Sequence, residues 1–160
     1  MLDAAKNYIS VTINGSEHRV EIDPKMPLLY ALRDFFGLRA TRFGCGEATC
    51  GACTVIVNGC AVMSCDLSIG DLDGAKIETA EALATEPPHP VLAELLTFQA
   101  GQCGYCLPGI ANKAKVLLEQ RRKMDRTEIA EALDDHLCRC GSHNRVLDAI
   151  ESLFAKKEEV

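Results

Sequence analysis

Apolar residues recur at every second position near the start of the chain. Ile9, Val11 and Ile13 alternate with polar residues, Asn14-Gly15 follows, and Val20 and Ile22 resume the alternation. Over residues 7–23 this predicts two strands joined by a tight hairpin, because Asn-Gly tolerates the positive φ that a two-residue turn requires. Leu28, Leu29, Leu32, Phe35 and Phe36 then fall at helical spacing between Pro27 and Gly37, which predicts a short amphipathic helix stopping at the glycine. Thr54 to Val57, Asn58-Gly59 and residues 61–65 read as a second hairpin, and residues 77–79 as one more strand. The order implies a small mixed sheet with a helix across one face.

Beyond the stiff segment Glu86-Pro87-Pro88-His89-Pro90 the period changes from 2 to 3.6. Val91, Leu92, Leu95 and Leu96 form one stripe; Ile110, Ala114, Leu117 and Leu118 a second; Ile129, Ala130, Leu133 and Leu137 a third; Val146, Leu147, Ile150, Leu153 and Phe154 a fourth. Four helices of about 10 to 15 residues follow from these stripes, which are packing faces with no ligand role. The fold expected is α+β, with one domain over residues 1–80 and a four-helix domain over residues 81–160. The charged tail, residues 155–160, is expected to fray.

The 160 residues are enough for a real core, and no apolar run is long enough to span a bilayer. Residues 1–10 lack the layout of a secretory signal, so a cytoplasmic protein without membrane insertion is expected. The net charge of −6 argues against nucleic acid as a partner. Arg121, Arg122 and Lys123 end a helical pattern, where cations suit the helix dipole.

Nine cysteines depart from the ordinary, and in a reducing compartment tight spacings point to metal rather than disulfides. Cys45, Cys50 and Cys53 stand as Cys-x4-Cys-x2-Cys, with Cys65 beyond the second hairpin turn. That is the plant-type spacing for a four-thiolate 2Fe-2S cluster. Gly44, Gly46 and Gly51 allow backbone amides to turn toward the sulfurs. Zinc suits this group less, since three ligands crowd one loop. Cys60 fits neither spacing and reads as a small packed residue.

Cys103 and Cys106 open the second predicted C-terminal helix, and Cys138 and Cys140 lie between the third and fourth. Such pairs meet if the helices pack with their ends together, and helix N-termini favour the negative charge of a thiolate site. Spacing alone leaves iron–sulfur and zinc both open here, with His136 or His143 able to complete other ligand sets. A dithiol role fits poorly, since the context is helical and the second pair has a single intervening residue. His18, His89, His136 and His143 each read as surface or hydrogen-bonded structural residues.

Together, GCGEATCGACTV, the later Cys65, QCGYCLPG and CRCGSHNR resemble the small iron–sulfur subunit of the xanthine oxidase family of molybdenum hydroxylases, over nearly the whole chain. The resemblance implies an N-terminal β-grasp, ferredoxin-like domain followed by a helical domain, each with one 2Fe-2S cluster. It implies Cys45, Cys50, Cys53 and Cys65 as one ligand set, and Cys103, Cys106, Cys138 and Cys140 as the other. It also implies Gln102 and Cys140 at the contact with the molybdopterin of a separate large subunit. Electrons would pass through both clusters to FAD in a flavin subunit or to another acceptor such as a haem cytochrome. The chain itself would do no substrate chemistry. His143 and Leu107 depart from the Tyr and Thr frequent in the family; the histidine is similar to subunits of bacterial dehydrogenases acting on nicotinate and related N-heterocycles. An N-heterocycle or an aldehyde is the substrate class expected. The competing readings are a freestanding two-cluster ferredoxin acting as a diffusible carrier, although a carrier needs only the first 80 residues, and a zinc-stabilised interaction module.

Overall fold

The computed structural model describes residues 8–120 and 122–156; residues 1–7, Arg121 and residues 157–160 lie outside it. Strands β1 (Tyr8–Ile13), β2 (Ser16–Glu21), β3 (Thr54–Val57), β4 (Cys60–Met63) and β5 (Lys76–Glu78) form one sheet in the order β2-β1-β5-β3-β4. Among the described strands only β1 and β5 run parallel, pairing Ile13 with Ile77, so the sheet is mixed as expected. Both hairpin turns have positive φ at each central residue: 49° and 83° at Asn14 and Gly15, 49° and 82° at Asn58 and Gly59. This is what a twist-matched two-residue turn demands.

Ile9, Val11 and Ile13 of β1, Val55 and Val57 of β3 and Ile77 of β5 share a core with Leu28 and Leu32. The segment after Pro27 has one α-helical turn, α1 (Leu28–Tyr30), and then widens to π-helical geometry over Ala31–Phe35. It presents Leu28, Leu29, Ala31 and Leu32 to the interior, whereas Phe35, expected on that face, is 53% exposed. The wider winding rotates Phe35 off the stripe that a 3.6 period assigns it. Gly37, with φ of 68°, ends the segment where expected.

Four helices follow, as expected: α2 (Pro90–Thr97), α3 (Leu107–Glu119), α4 (Arg126–Ala132) and α5 (His143–Lys156). Val91, Leu95, Ile110, Ala114, Ile129, Val146 and Ile150 build their core. Two of the helices are shorter than their stripes suggest. Leu96 at the end of α2 is 64% exposed and Leu137, beyond α4, is 65% exposed, so neither belongs to a packing face. α4 starts with a capping box between Asp125 and Glu128, and Arg122 pairs with Glu128 rather than serving the end of α3. Helix α5 continues through Ala155 to Lys156, whose Nζ donates to Glu94 Oε2 at 2.7 Å, so the expected fraying does not reach these two residues. Among the described residues, no helix is long and apolar enough to cross a membrane.

The two halves are packed together. Every residue of β3 is buried, because the sheet core covers one face and α3 lies against the strand. Asn112 of α3 donates to the Thr54 carbonyl at 2.8 Å.

Candidate metal centres

The loop entering β3 carries Cys45, Cys50 and Cys53, and the β3–β4 hairpin returns the chain so that Cys65 reaches the same place from a single helical turn, Ser64–Asp66. Ser64 fastens that return: its N–H and hydroxyl both donate to the Cys53 carbonyl, at 3.3 and 2.8 Å. Backbone amides are aimed at sulfur throughout. Glu47 and Thr49 donate to Cys45 Sγ at 3.4 and 3.3 Å, Ala48 to Cys65 Sγ at 3.3 Å, and Cys45 to Cys50 Sγ at 3.3 Å. Gly44 leaves no choice of residue, since a Cβ there would sit 2.5 Å from Cys50 Sγ. The Thr49 side chain, then the Glu47 and Thr49 amides, bring the Cys45 thiol down to about 6. Burial pushes Cys65 up to about 11.

The second set forms where α3 begins. Cys106 is the residue capping α3, Cys103 precedes it, and Cys138 and Cys140 arrive on the connection between α4 and α5. Cys103 lies within hydrogen-bonding reach of Cys140, and Cys106 of Cys138. The Tyr105 amide donates to Cys103 Sγ at 3.5 Å, and Cys138 Sγ is 3.4 Å from Ser142 Oγ. Burial and then the neighbouring Cys138 push Cys106 up to about 12. At Cys138 burial acts upward, but hydrogen bonds from Ser142, Cys106 and the Cys140 backbone outweigh it and hold the thiol at about 6. The Tyr105 amide and then Cys140 lower Cys103. The first set is half-buried or buried, whereas Cys103, Cys140 and Gln102 are exposed. Gln102 and Cys103 border a groove of about 820 Å³ whose wall includes Leu96, Leu107 and Arg145.

One cysteine of the first set borders the second. Cys50, Cys103, Cys106 and Cys138 line a common apolar cavity of about 200 Å³. Around it the chain is tied at several points that the sequence did not announce. Tyr105 donates its hydroxyl to the Phe43 carbonyl at 2.5 Å, the Leu137 amide donates to the Cys50 carbonyl at 3.1 Å, and His136 Nε2 is 3.2 Å from Thr54 Oγ1. These partners are far apart in sequence, so no local spacing marks them.

The two nearby histidines each have a hydrogen-bond partner other than cysteine. His136 is buried with Nε2 engaged by Thr54, and His143 Nε2 lies 3.4 Å from the His136 carbonyl. His89 caps α2, its Nδ1 accepting from the Val91 amide at 3.2 Å, and His18 packs edge-on against Phe36. Cys60 is not packed as expected: it is exposed, because β4 is an edge strand and Cys60 sits at its turn end.

All eight remaining cysteines therefore fall into two groups of four, each partly lined with amides directed at sulfur. Among the described residues no three or more His, Cys, Asp or Glu side chains gather as a site for a single metal ion. The donor sets fit 2Fe-2S clusters, whose bridging sulfides and thiolates carry negative charge that backbone N–H groups stabilise.

Residues 11–84 match the family described as a 2Fe-2S iron-sulfur cluster binding domain, and residues 79–151 match a [2Fe-2S] binding domain. The chain is 40% identical over 143 residues to one of the subunits of nicotinate dehydrogenase from Pseudomonas putida, covering 89% of this chain and 91% of that one. It is 38% identical to the alpha subunit of isoquinoline 1-oxidoreductase from Brevundimonas diminuta, covering 89% and 94%. Among solved structures, quinoline 2-oxidoreductase from Pseudomonas putida 86 superposes with a TM-score of 0.89 at 32% identity, covering 96% of both chains. The aldehyde oxidoreductase of Desulfovibrio gigas superposes equally well, with a TM-score of 0.89 at 29% identity; this chain spans 17% of its length.

Proposed function

Since the chain belongs to the small iron–sulfur subunits of the xanthine oxidase family of molybdenum hydroxylases, we propose that Cys45, Cys50, Cys53 and Cys65 hold one of its 2Fe-2S clusters and Cys103, Cys106, Cys138 and Cys140 the other. The protein is the electron-transfer component of a hetero-oligomeric oxidoreductase and carries no substrate chemistry itself. Its partner is a large subunit with the molybdopterin cofactor, and the final acceptor is a flavin subunit or a cytochrome. The observation that carries this reading is that Cys103 meets Cys140 and Cys106 meets Cys138 across the α3–α5 region, with Cys50 of the first loop lining the same cavity.

When bound, each cluster supplies reversible one-electron transfer. The chain's own residues do the rest. The amides of Glu47, Ala48 and Thr49 stabilise negative charge on the first set, so a cluster held there would take up an electron more readily than one without these N–H donors. Leu29 and Met63 pack around Cys53 and Cys65 and keep water from that side. At the second set Ser142 and the Tyr105 amide hold Cys138 and Cys103, leaving Cys103 and Cys140 at the surface where a partner can approach.

Gln102 and Cys140 are the residues we assign to the molybdopterin contact. Both are exposed beside the second set, and a Gln can donate and accept hydrogen bonds at a pterin edge. We place the domain division near residue 80. The substrate class of the complex is an N-heterocycle, supported by the compounds named in the Pseudomonas and Brevundimonas relatives, with an aldehyde as the alternative. A reducing cytoplasm suits nine free thiols.

Co-purification of the native complex, with assay of iron, acid-labile sulfide and partner chains, tests the reading. Iron and sulfide in equal amounts together with a molybdopterin-containing chain is the expected result. A colourless zinc protein, or a fully loaded chain that never associates, would overturn it.

A further inference from the structure

Resting on the two-cluster reading above, we infer that His136 is a positioning residue: acting through Thr54 and Gly51, it fixes the separation and relative orientation of the two cluster sites without touching either ligand set. His136 stands two residues before Cys138, and only 4% of its surface is exposed. Its ring is pressed onto Gly51, the residue after Cys50, so closely that a Cβ there would lie 2.6 Å from Cδ2. Gly51 is gripped from the other side by α3, where a Cβ on Gly109 would come within 2.1 Å of the Gly51 carbonyl oxygen. The first loop is thus held between the helix that begins at Cys106 and the segment that carries Cys138.

Hydrogen bonds give this clamp a direction. Thr54 donates its hydroxyl proton to the Gly51 carbonyl at 2.8 Å. Its oxygen must then accept from His136, 3.2 Å away, which assigns the proton to Nε2 and leaves Nδ1 bare. On the far side Asn112 donates to the Thr54 carbonyl at 2.8 Å, and the His136 amide donates to the Leu133 carbonyl at 2.8 Å at the end of α4. Thr54 follows Cys53 directly, so one polar chain connects the backbone beside a first-set ligand to the backbone beside a second-set ligand. Because Thr54 opens β3 and His136 is tied to the end of α4, the span is held while these bonds hold.

The test is low-temperature EPR of the reduced holo-complex, where two nearby paramagnetic clusters split each other's lines by an amount that depends on their separation and orientation. His136→Leu keeps approximate volume and removes the donor; His136→Gln returns an amide N–H near the place of Nε2; Thr54→Val removes the acceptor. The expected result is unchanged iron content and unchanged g-values for each cluster in all three variants. The splitting should change in His136→Leu and Thr54→Val and return to wild type in His136→Gln. Wild-type splitting in His136→Leu would overturn the inference, as would a change that Gln does not reverse, or loss of a cluster from His136→Leu while Thr54→Val stays intact. Wild-type protein that fails to show two iron–sulfur signals would defeat the two-cluster reading itself, and that result needs no variant to be seen.

Discussion

The Leu137 amide donates to the Cys50 carbonyl at 3.1 Å, so the backbone beside the second cysteine set is hydrogen-bonded to a residue of the first. The Leu137 side chain is 65% exposed and contributes little to packing. Leu137→Ala should therefore shift stability by no more than about 0.5 kcal/mol, as for ordinary surface changes. Leu137→Pro deletes the donor and leaves the Cys50 carbonyl short of a partner, at about 1–3 kcal/mol. Thermal unfolding of the two variants side by side checks the contrast; equal melting temperatures would mean that the bond contributes nothing.

Gly109 offers a reversal of the usual helix rule. Replacing a glycine inside a helix with alanine ordinarily stabilises by about 1 kcal/mol. Gly109 lies in α3, but its Cβ would meet the Gly51 carbonyl oxygen at 2.1 Å. Gly109→Ala should destabilise by about 1–3 kcal/mol as an overpacked contact. Gly104→Ala probes the opposite situation, a positive φ of 75° with nothing within 4 Å, where the cost is backbone strain alone. A Gly109→Ala protein that melts higher than wild type would show that the helix and the first loop are not tightly apposed.

The pattern of alternating and helical periods was sufficient to read the hairpins, the mixed sheet and four C-terminal helices, because Asn14-Gly15, Asn58-Gly59 and the apolar stripes act locally. Phe35, Leu96 and Leu137 escaped that reading for one reason: a stripe says which residues share a side only while the winding stays at 3.6 residues per turn, and each of these lies where the winding widens or stops. The two cysteine groups proposed as ligand sets stand out in the sequence because their members cluster in short motifs. The contacts between the groups do not. Thr54 with His136, and Tyr105 with Phe43, are pairs brought together by packing α3 on β3, and nothing in their own neighbourhoods indicates a partner.

Gln102 is exposed next to Cys103 and is not among the proposed cluster ligands. Gln102→Leu should leave both clusters assembled while weakening retention of the molybdopterin in the complex, or slowing cluster reduction by substrate. Pterin polar groups left unpaired and buried would cost about 1–3 kcal/mol. Rapid-mixing spectroscopy with cofactor analysis is the check; wild-type cofactor content together with an unchanged reduction rate would remove Gln102 from the contact.

The most direct measurement is EPR with iron analysis on single cysteine variants of the holo-complex. Cys50→Ser should abolish one iron–sulfur signal and about half of the iron, Cys106→Ser the other signal and the other half, because each thiolate serves a separate four-ligand set. Cys60→Ser, at an exposed edge-strand position, should leave both signals intact. Loss of the same signal from Cys50→Ser and Cys106→Ser, or loss of a signal from Cys60→Ser with none from Cys65→Ser, would contradict the assignment of two separate sets.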